Sequence, residues 1–437
     1  MQAAVFVNPA MNHLVEAAAC QQLHPNLTDW YDDPICKSPD VQDRLAMIMG
    51  WETTFALIPA LATAIPYGIF ADRYGPKILL LLVVVGGFVV QVGELITVYY
   101  PQTFDLRGIW VSSFVGNLIG GGQLGLDAMQ YALATLLAAE SNRQLIVALT
   151  GPAVYWAMNI GPVFSQLVGM GIMVLSILFT LTLPNGLEIT HRSEPQKADT
   201  RRSVCQTMSE GFASLGNAAI QYAKLFGRDK QLALLLFSLI FSTIGVRQAL
   251  IRQQYATKRY GWTWAEAGVM ISLISLGSLL VLAIFVPILS YLLLQRTTPL
   301  RKDMWIARIG IIALFIGSIL IGLARTTGQF IAAQSLYLVE LCYAPAITSV
   351  IASLAGLDDL HGTTGAGVVY MTVVFMRTVG SVVAGPIIFG MFRVGMNLGG
   401  DWIGLPFFFE AMLQVFTVAA TFSVTGRLSH DTGEQYS

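Results

Sequence analysis

The sequence predicts an all-α membrane protein of two pseudo-symmetric six-helix bundles. Three observations predict it. Hydrophobic residues fill 55% of the 437 positions and charged residues only 12%, about half the roughly 25% charged of a soluble domain. The apolar residues gather into runs near the ~20 that a helix needs to cross a bilayer. One long polar interval, 188–230, divides these runs into two sets. The expected organisation is an N-terminal bundle over 1–187 with a short first helix, a cytoplasmic linker over 188–230, a C-terminal bundle over 231–426 and a cytoplasmic tail over 427–437.

Composition also excludes. A net charge of −1 offers nucleic acid no basic surface. Four cysteines form no CxxC pair and five histidines do not cluster, so no metal and no cofactor are expected. No nucleophile motif stands in a plausible setting, so there is no catalytic residue and an enzyme is not expected.

In chain order, 1–20 is apolar but interrupted by Asn8, Pro9, Asn12, His13 and Glu16. It reads as a poor span, and without a basic stretch before it as no signal peptide. The polar loop 21–44 holds the glycosylation sequon Asn26-Leu27-Thr28. Cys20 and Cys36 flank it and either bridge in an oxidising compartment or stay as two thiols. Runs 47–70 and 78–99 are joined by the charged turn Gly68-Ile69-Phe70-Ala71-Asp72-Arg73-Tyr74-Gly75-Pro76-Lys77, which makes them antiparallel neighbours. Arg73 and Lys77 place the turn in the cytoplasm by the positive-inside bias. Loop 21–44 then lies on the opposite face, where glycosylation occurs. Span 109–137 holds Gly120-Gly121-Gly122, which permits close helix packing, and Asp127. The charged turn Glu140-Ser141-Asn142-Arg143 follows, and 144–187 is free of charge, enough for two spans with almost no loop near Gly169.

The second half repeats the rhythm over 231–250, 265–294, 304–324, 329–352, 367–392 and 405–424. Gly161-Pro162 in the fifth span is echoed by Gly385-Pro386 in the eleventh. In two halves related by an axis along the membrane normal these are equivalent helices, and Pro beside Gly is expected to bend each of them.

The turn at Gly68 resembles the loop after the second helix of major facilitator superfamily transporters, G-x-L-A-D-R-x-G-R-K. Gly68, Ala71, Asp72, Arg73, Gly75 and Lys77 match, and Pro76 departs from it. Gln254-Tyr255-Ala256, Gly261-Trp262 and Trp402-Ile403-Gly404-Leu405-Pro406-Phe407 resemble a fungal drug- and metabolite-transporter branch. The Cys36-Lys37…Val41-Gln42 opening is similar to proton-coupled folate transporters. The resemblance covers nearly the whole chain. It implies the major facilitator fold, a small-molecule substrate, protons as coupling ion and a monomer in the plasma or vacuolar membrane. The favoured mode is proton-driven efflux; the alternatives are proton-coupled uptake of an organic anion, or a transport-inactive sensor. Asn117 stands where the family often has an Arg, and Ser165-Gln166 replaces the Gly-Gly expected after the Gly-Pro of its antiporter motif.

Ionisable groups inside a bilayer cost ~2.5–3.5 kcal/mol on insertion scales, so they mark a pathway. Glu94, Asp127, Glu340 and Arg377 are the candidates, with Trp156 and Tyr343 as aromatic walls; Glu52 and Arg308 read as snorkelling groups near span ends. Arg377 either serves the cavity or pairs with Glu340. Asp72, Arg73, Glu140 and Arg143 lie on successive cytoplasmic turns and are expected to form a gate.

Overall fold

The computed structural model describes residues 2–27, 30–31, 33–74, 76–122, 151–182, 230–354 and 366–424. Eight helices among them are long and apolar enough to cross a bilayer. The N-terminal half contributes α1 (Gln2–Leu23), α2 (Pro39–Tyr74), α3 (Pro76–Tyr99), α4 (Gly108–Gly120), α5 (Gly151–Ile160) and α6 (Pro162–Thr182). The C-terminal half contributes α7 (Lys230–Val246), α8 (Arg252–Tyr260), α9 (Trp264–Leu280), α10 (Val286–Leu294), α11 (Pro299–Leu323), α12 (Thr327–Tyr337), α13 (Tyr343–Leu354), α14 (Ala366–Leu398) and α15 (Leu405–Ser423).

Local chemistry sets these boundaries. Proline at the first position starts α2, α3, α6 and α11, where its missing N–H costs nothing. Thr263 with Glu266, and Thr326 with Gln329, form reciprocal capping boxes at α9 and α12. A π-turn, Val281–Phe285, joins α9 to α10 just before Pro287, which cannot donate to the helix ladder. A 3₁₀ turn, Leu338–Cys342, joins α12 to α13 just before Pro345, for the same reason. Another, Arg247–Ile251, joins α7 to α8.

Several expectations are corrected. The first helix is not short: α1 has 22 residues, about 33 Å at 1.5 Å per residue. The Gly68 decapeptide is not a turn throughout, because α2 runs through Gly68, Asp72 and Arg73 to Tyr74 and α3 begins at Pro76. Gly75 lies outside the described residues. Gly161 and Pro162 do not bend the fifth helix; they divide α5 from α6, and Gly169 is buried within α6 rather than in a turn. Pro386 lies inside α14. The Gly120–Gly122 triplet stops α4, with Gly121 and Gly122 at φ 71° and 56°, a left-handed backbone that glycine alone adopts freely.

Two apolar cores result. One gathers Leu235, Leu239, Ile311, Leu314, Phe330 and Tyr255; the other gathers Ala10, Val15, Ala18, Leu45, Ile48 and Ile109. The halves meet where α2 packs on α14, α5 on α9 and α1 on α9.

Candidate functional site

The halves are joined at the end that carries the Cys20–Cys36 disulfide. That bond ties the 3₁₀ turn Pro34–Lys37 to the end of α1 and sets Lys37 over Glu16. Glu16 is only 1% exposed. Lys37 Nζ donates to its two oxygens at 2.8 and 2.6 Å, and Trp264 Nε1 of the other half donates to Oε2 at 2.6 Å. Gln42 Nε2 also donates to Glu16. Around this knot Gln254 Nε2 donates to Gln42 O and Oε1, both at 3.0 Å, and Asn12 Nδ2 to Gln253 Oε1 at 2.8 Å. Lys258 Nζ donates to the Lys37 carbonyl. Burial holds the Lys258 ammonium below the usual lysine range, the Lys37 charge adds to this, and Glu16 opposes it. Arg393 grips Asp43 through two bonds, at 2.5 and 2.8 Å. Deeper, Thr54 Oγ1 donates to Val382 O at 2.7 Å.

The C-terminal half holds a buried charge cluster at its helix breaks. Arg252 opens α8, just after the 3₁₀ turn that ends α7. Glu340 sits within the turn between α12 and α13. Glu410 lies on α15. Their exposures are 5%, 8% and 2%. The Arg252 guanidinium stacks on the Tyr337 ring at 4.6 Å, and Tyr337 Oη lies 3.4 Å from Glu410 Oε1. Arg252 and Arg377 both act electrostatically on Glu340, and Arg377 also on buried Tyr343. The structure therefore brings together three residues expected from the sequence, Glu340, Tyr343 and Arg377. Arg377 itself is exposed.

The remaining expected residues are scattered. Glu94 is buried on α3, and Ser113 Oγ lies 3.3 Å from it and 3.3 Å from Glu52. Half-buried Glu52 is thus linked to Glu94 through Ser113. Trp156 is 62% exposed, edge-on to Phe164. Lys77 Nζ donates to Leu181 O at 3.0 Å. Asp127, Glu140 and Arg143 lie outside the described residues. Gly385 acts by contact: a Cβ on it would meet Gly50 O at 2.4 Å, so α2 and α14 touch backbone to backbone.

Sequence reasoning missed Glu16, Arg252 and Glu410. Glu410 carried a usable signal, a carboxylate inside the predicted span 405–424. Glu16 carried the opposite one, because it made 1–20 read as a poor span.

Comparison with known proteins places this geometry. The chain is 28% identical over 390 residues to the MFS efflux pump atnC of Emericella nidulans, covering 85% of this chain and 74% of that one. It is 28% identical over 408 residues to the efflux pump ustT of Aspergillus flavus, covering 88% and 77%. Its fold is similar to the nucleoside transporter NupG, with a TM-score of 0.57, 12% identity and coverage of 96% and 98%. It is similar also to a D-xylose-proton symporter, with a TM-score of 0.59, 12% identity and coverage of 96% of each chain. The pattern of the Major Facilitator Superfamily matches residues 45–386, and the chain belongs to that family of transporters, which are not enzymes.

Proposed function

We propose that this chain exports small, partly apolar organic compounds by alternating access, with protons moving the opposite way. The likeness to two efflux pumps carries the direction. Alternating access is supported by the make-up of the contact between the halves. Asp43–Arg393, Gln42–Gln254 and Asn12–Gln253 are polar pairs that can part and be hydrated without opening an apolar core.

The orientation that fits best puts the disulfide-bearing end outside or in a lumen, since disulfides persist in oxidising compartments. Asn26 is exposed at that end and is then placed for glycosylation. A mobility shift on endoglycosidase treatment, absent in Asn26→Gln, is the expected mark. Asp72 and Arg73 then face the cytoplasm, with Glu140 and Arg143 as the opposite latch and Asp127 as a further pathway group. The host is the plasma or vacuolar membrane, and the chain acts as a monomer.

A second reading is proton-coupled uptake of an organic anion; the exposed Arg377 beside Glu340 favours it as counter-charge. Loading cells with a lipophilic fluorescent dye, with and without a protonophore, tests the first. Overexpression should speed dye loss, and the protonophore should abolish the gain. Accelerated entry of an anionic dye would favour the second reading, and no movement of either would sink both.

A further inference from the structure

Around Glu340 and Glu410 the buried charges do not balance; the other buried guanidinium of this half, Arg308, lies instead over the Trp305 and Phe422 rings. Glu340 and Glu410 share one buried guanidinium, Arg252, while Arg377 is exposed. A carboxylate away from water and without its own cation costs far more than a neutral carboxylic acid. The surroundings decide which of the two is neutral. Glu340 feels two cations, Arg252 and Arg377. Glu410 feels Arg252 with Glu340 opposing it.

Hydrogen bonding leaves one oxygen of Glu410 unmet: Oε2 has no hydrogen-bond partner among the described residues. The Ser318 hydroxyl of α11 faces the Glu410 carboxyl, but its one hydrogen goes to the Leu314 carbonyl at 2.6 Å. Ser318 Oγ can accept from a hydrogen on the Glu410 carboxyl, or its hydroxyl can turn to donate to it, so this contact serves either protonation state. One turn along α15, Gln414 donates to Phe241 O at 3.3 Å and leaves its own buried Oε1 unpaired. Gly245 of α7 makes room for this stripe: a Cβ there would lie 2.0 Å from Gln414 Nε2 and 3.2 Å from Glu410 Cγ. The groups facing Glu410 are thus Arg252 after α7, Tyr337 and Glu340 from α12 and its following turn, and Ser318 from α11.

We propose that Glu410 is a proton-binding site, held neutral by its burial while Arg252 serves Glu340. On release the O–H bond breaks, the proton passes to water, and the Glu410 carboxylate draws on Arg252 while Glu340 keeps Arg377. The role of this proton as the coupling ion rests on the proton-driven reading above; its presence on Glu410 rests on the cluster alone.

Infrared difference spectra of the full chain in lipid nanodiscs, between acidic and alkaline buffer in H₂O and D₂O, read the carbonyl band of protonated carboxyls. One component of that band should be lost in Glu410→Gln and kept in Glu340→Gln. Glu410→Gln preserves shape and neutrality, so it should fold and melt no lower than the wild type at neutral pH. Glu340→Gln removes the ion partner of Arg252 and should melt lower. A band unchanged in Glu410→Gln overturns the proposal. So does a Glu410→Gln protein that fails to fold or melts lower, since Glu410 would then be the ionised partner of Arg252. A wild type indifferent to protonophore would overturn proton-driven export while leaving the infrared result in place, so the two failures are distinguishable.

Discussion

Gly385 decides how closely the two halves meet, and the requirement is a matter of ångströms. A Cβ on Gly385 would sit 2.4 Å from Gly50 O and 3.0 Å from Thr53 Cβ, both in α2. Neither neighbour is the far end of a flexible chain, so the helices themselves would have to part. Gly390, one to two turns further along the same helix, meets nothing within 4 Å. The two glycines therefore predict opposite outcomes. Gly385→Ala should lose stability by about 1–3 kcal/mol, the usual cost of overpacking. Gly390→Ala should be neutral or gain up to ~1 kcal/mol from helix propensity. Thermal melts of the two purified variants check this, and equal melts would remove the close-contact role of Gly385.

At the scale of elements, the disulfide turns a polar loop into a support. Cys20 and Cys36 are 16 residues apart in sequence, and closing a loop of that size is worth about 3 kcal/mol on the chain-entropy view. The bond also seats Lys37 over Glu16 and Trp264. A Cys20→Ser/Cys36→Ser protein should melt lower, and adding Lys37→Met should cost it less than the same change costs the wild type, because Lys37 is then no longer held in place. Melting curves of the four proteins read that coupling. The same elements show what the sequence can and cannot convey. The long apolar runs α3, α11 and α15 announce themselves, because a bilayer crossing needs only length and hydropathy. α1 does not, because Asn12 and Glu16 are paid for by Gln253 and Trp264, far along the chain, and by Lys37 in the loop that follows. Gly161-Pro162 reads equally as a bend or a junction, since proline both kinks a helix and starts one. The site was partly legible: Glu340 and Arg377 stood out as charges inside apolar runs. Arg252 did not, because it sits where α7 breaks, just beyond the predicted span 231–250.

For the whole molecule, transport by alternating access requires that the closure at the disulfide-bearing end be only slightly favourable. Asp43–Arg393 joins α2 to α14 across the halves with two bonds, yet both side chains are about one-third exposed. A cavity of about 300 Å³, lined by Asp40, Asp43, Arg44, Asp105 and Arg107, adjoins Asp43 and gives water access to the pair. Such a pair is worth ~0–1 kcal/mol, not the ~3–5 kcal/mol of breaking a fully buried one. Since 1.4 kcal/mol is tenfold in an equilibrium, Asp43→Asn should shift the closed-to-open ratio by about fivefold at most. It should leave folding intact, because each half keeps its own core. Cysteines introduced in α2 and α14 near the pair should cross-link more slowly in Asp43→Asn, and the exchanged pair Asp43→Arg/Arg393→Asp should recover much of the rate. Raising the salt concentration should slow cross-linking in the wild type and leave Asp43→Asn unchanged, because screening acts only where the charges remain. A wild type insensitive to salt, with Asp43→Asn cross-linking at the same rate, would mean that the neutral contacts Gln42–Gln254, Asn12–Gln253 and Thr54–Val382 hold the closure without this ion pair.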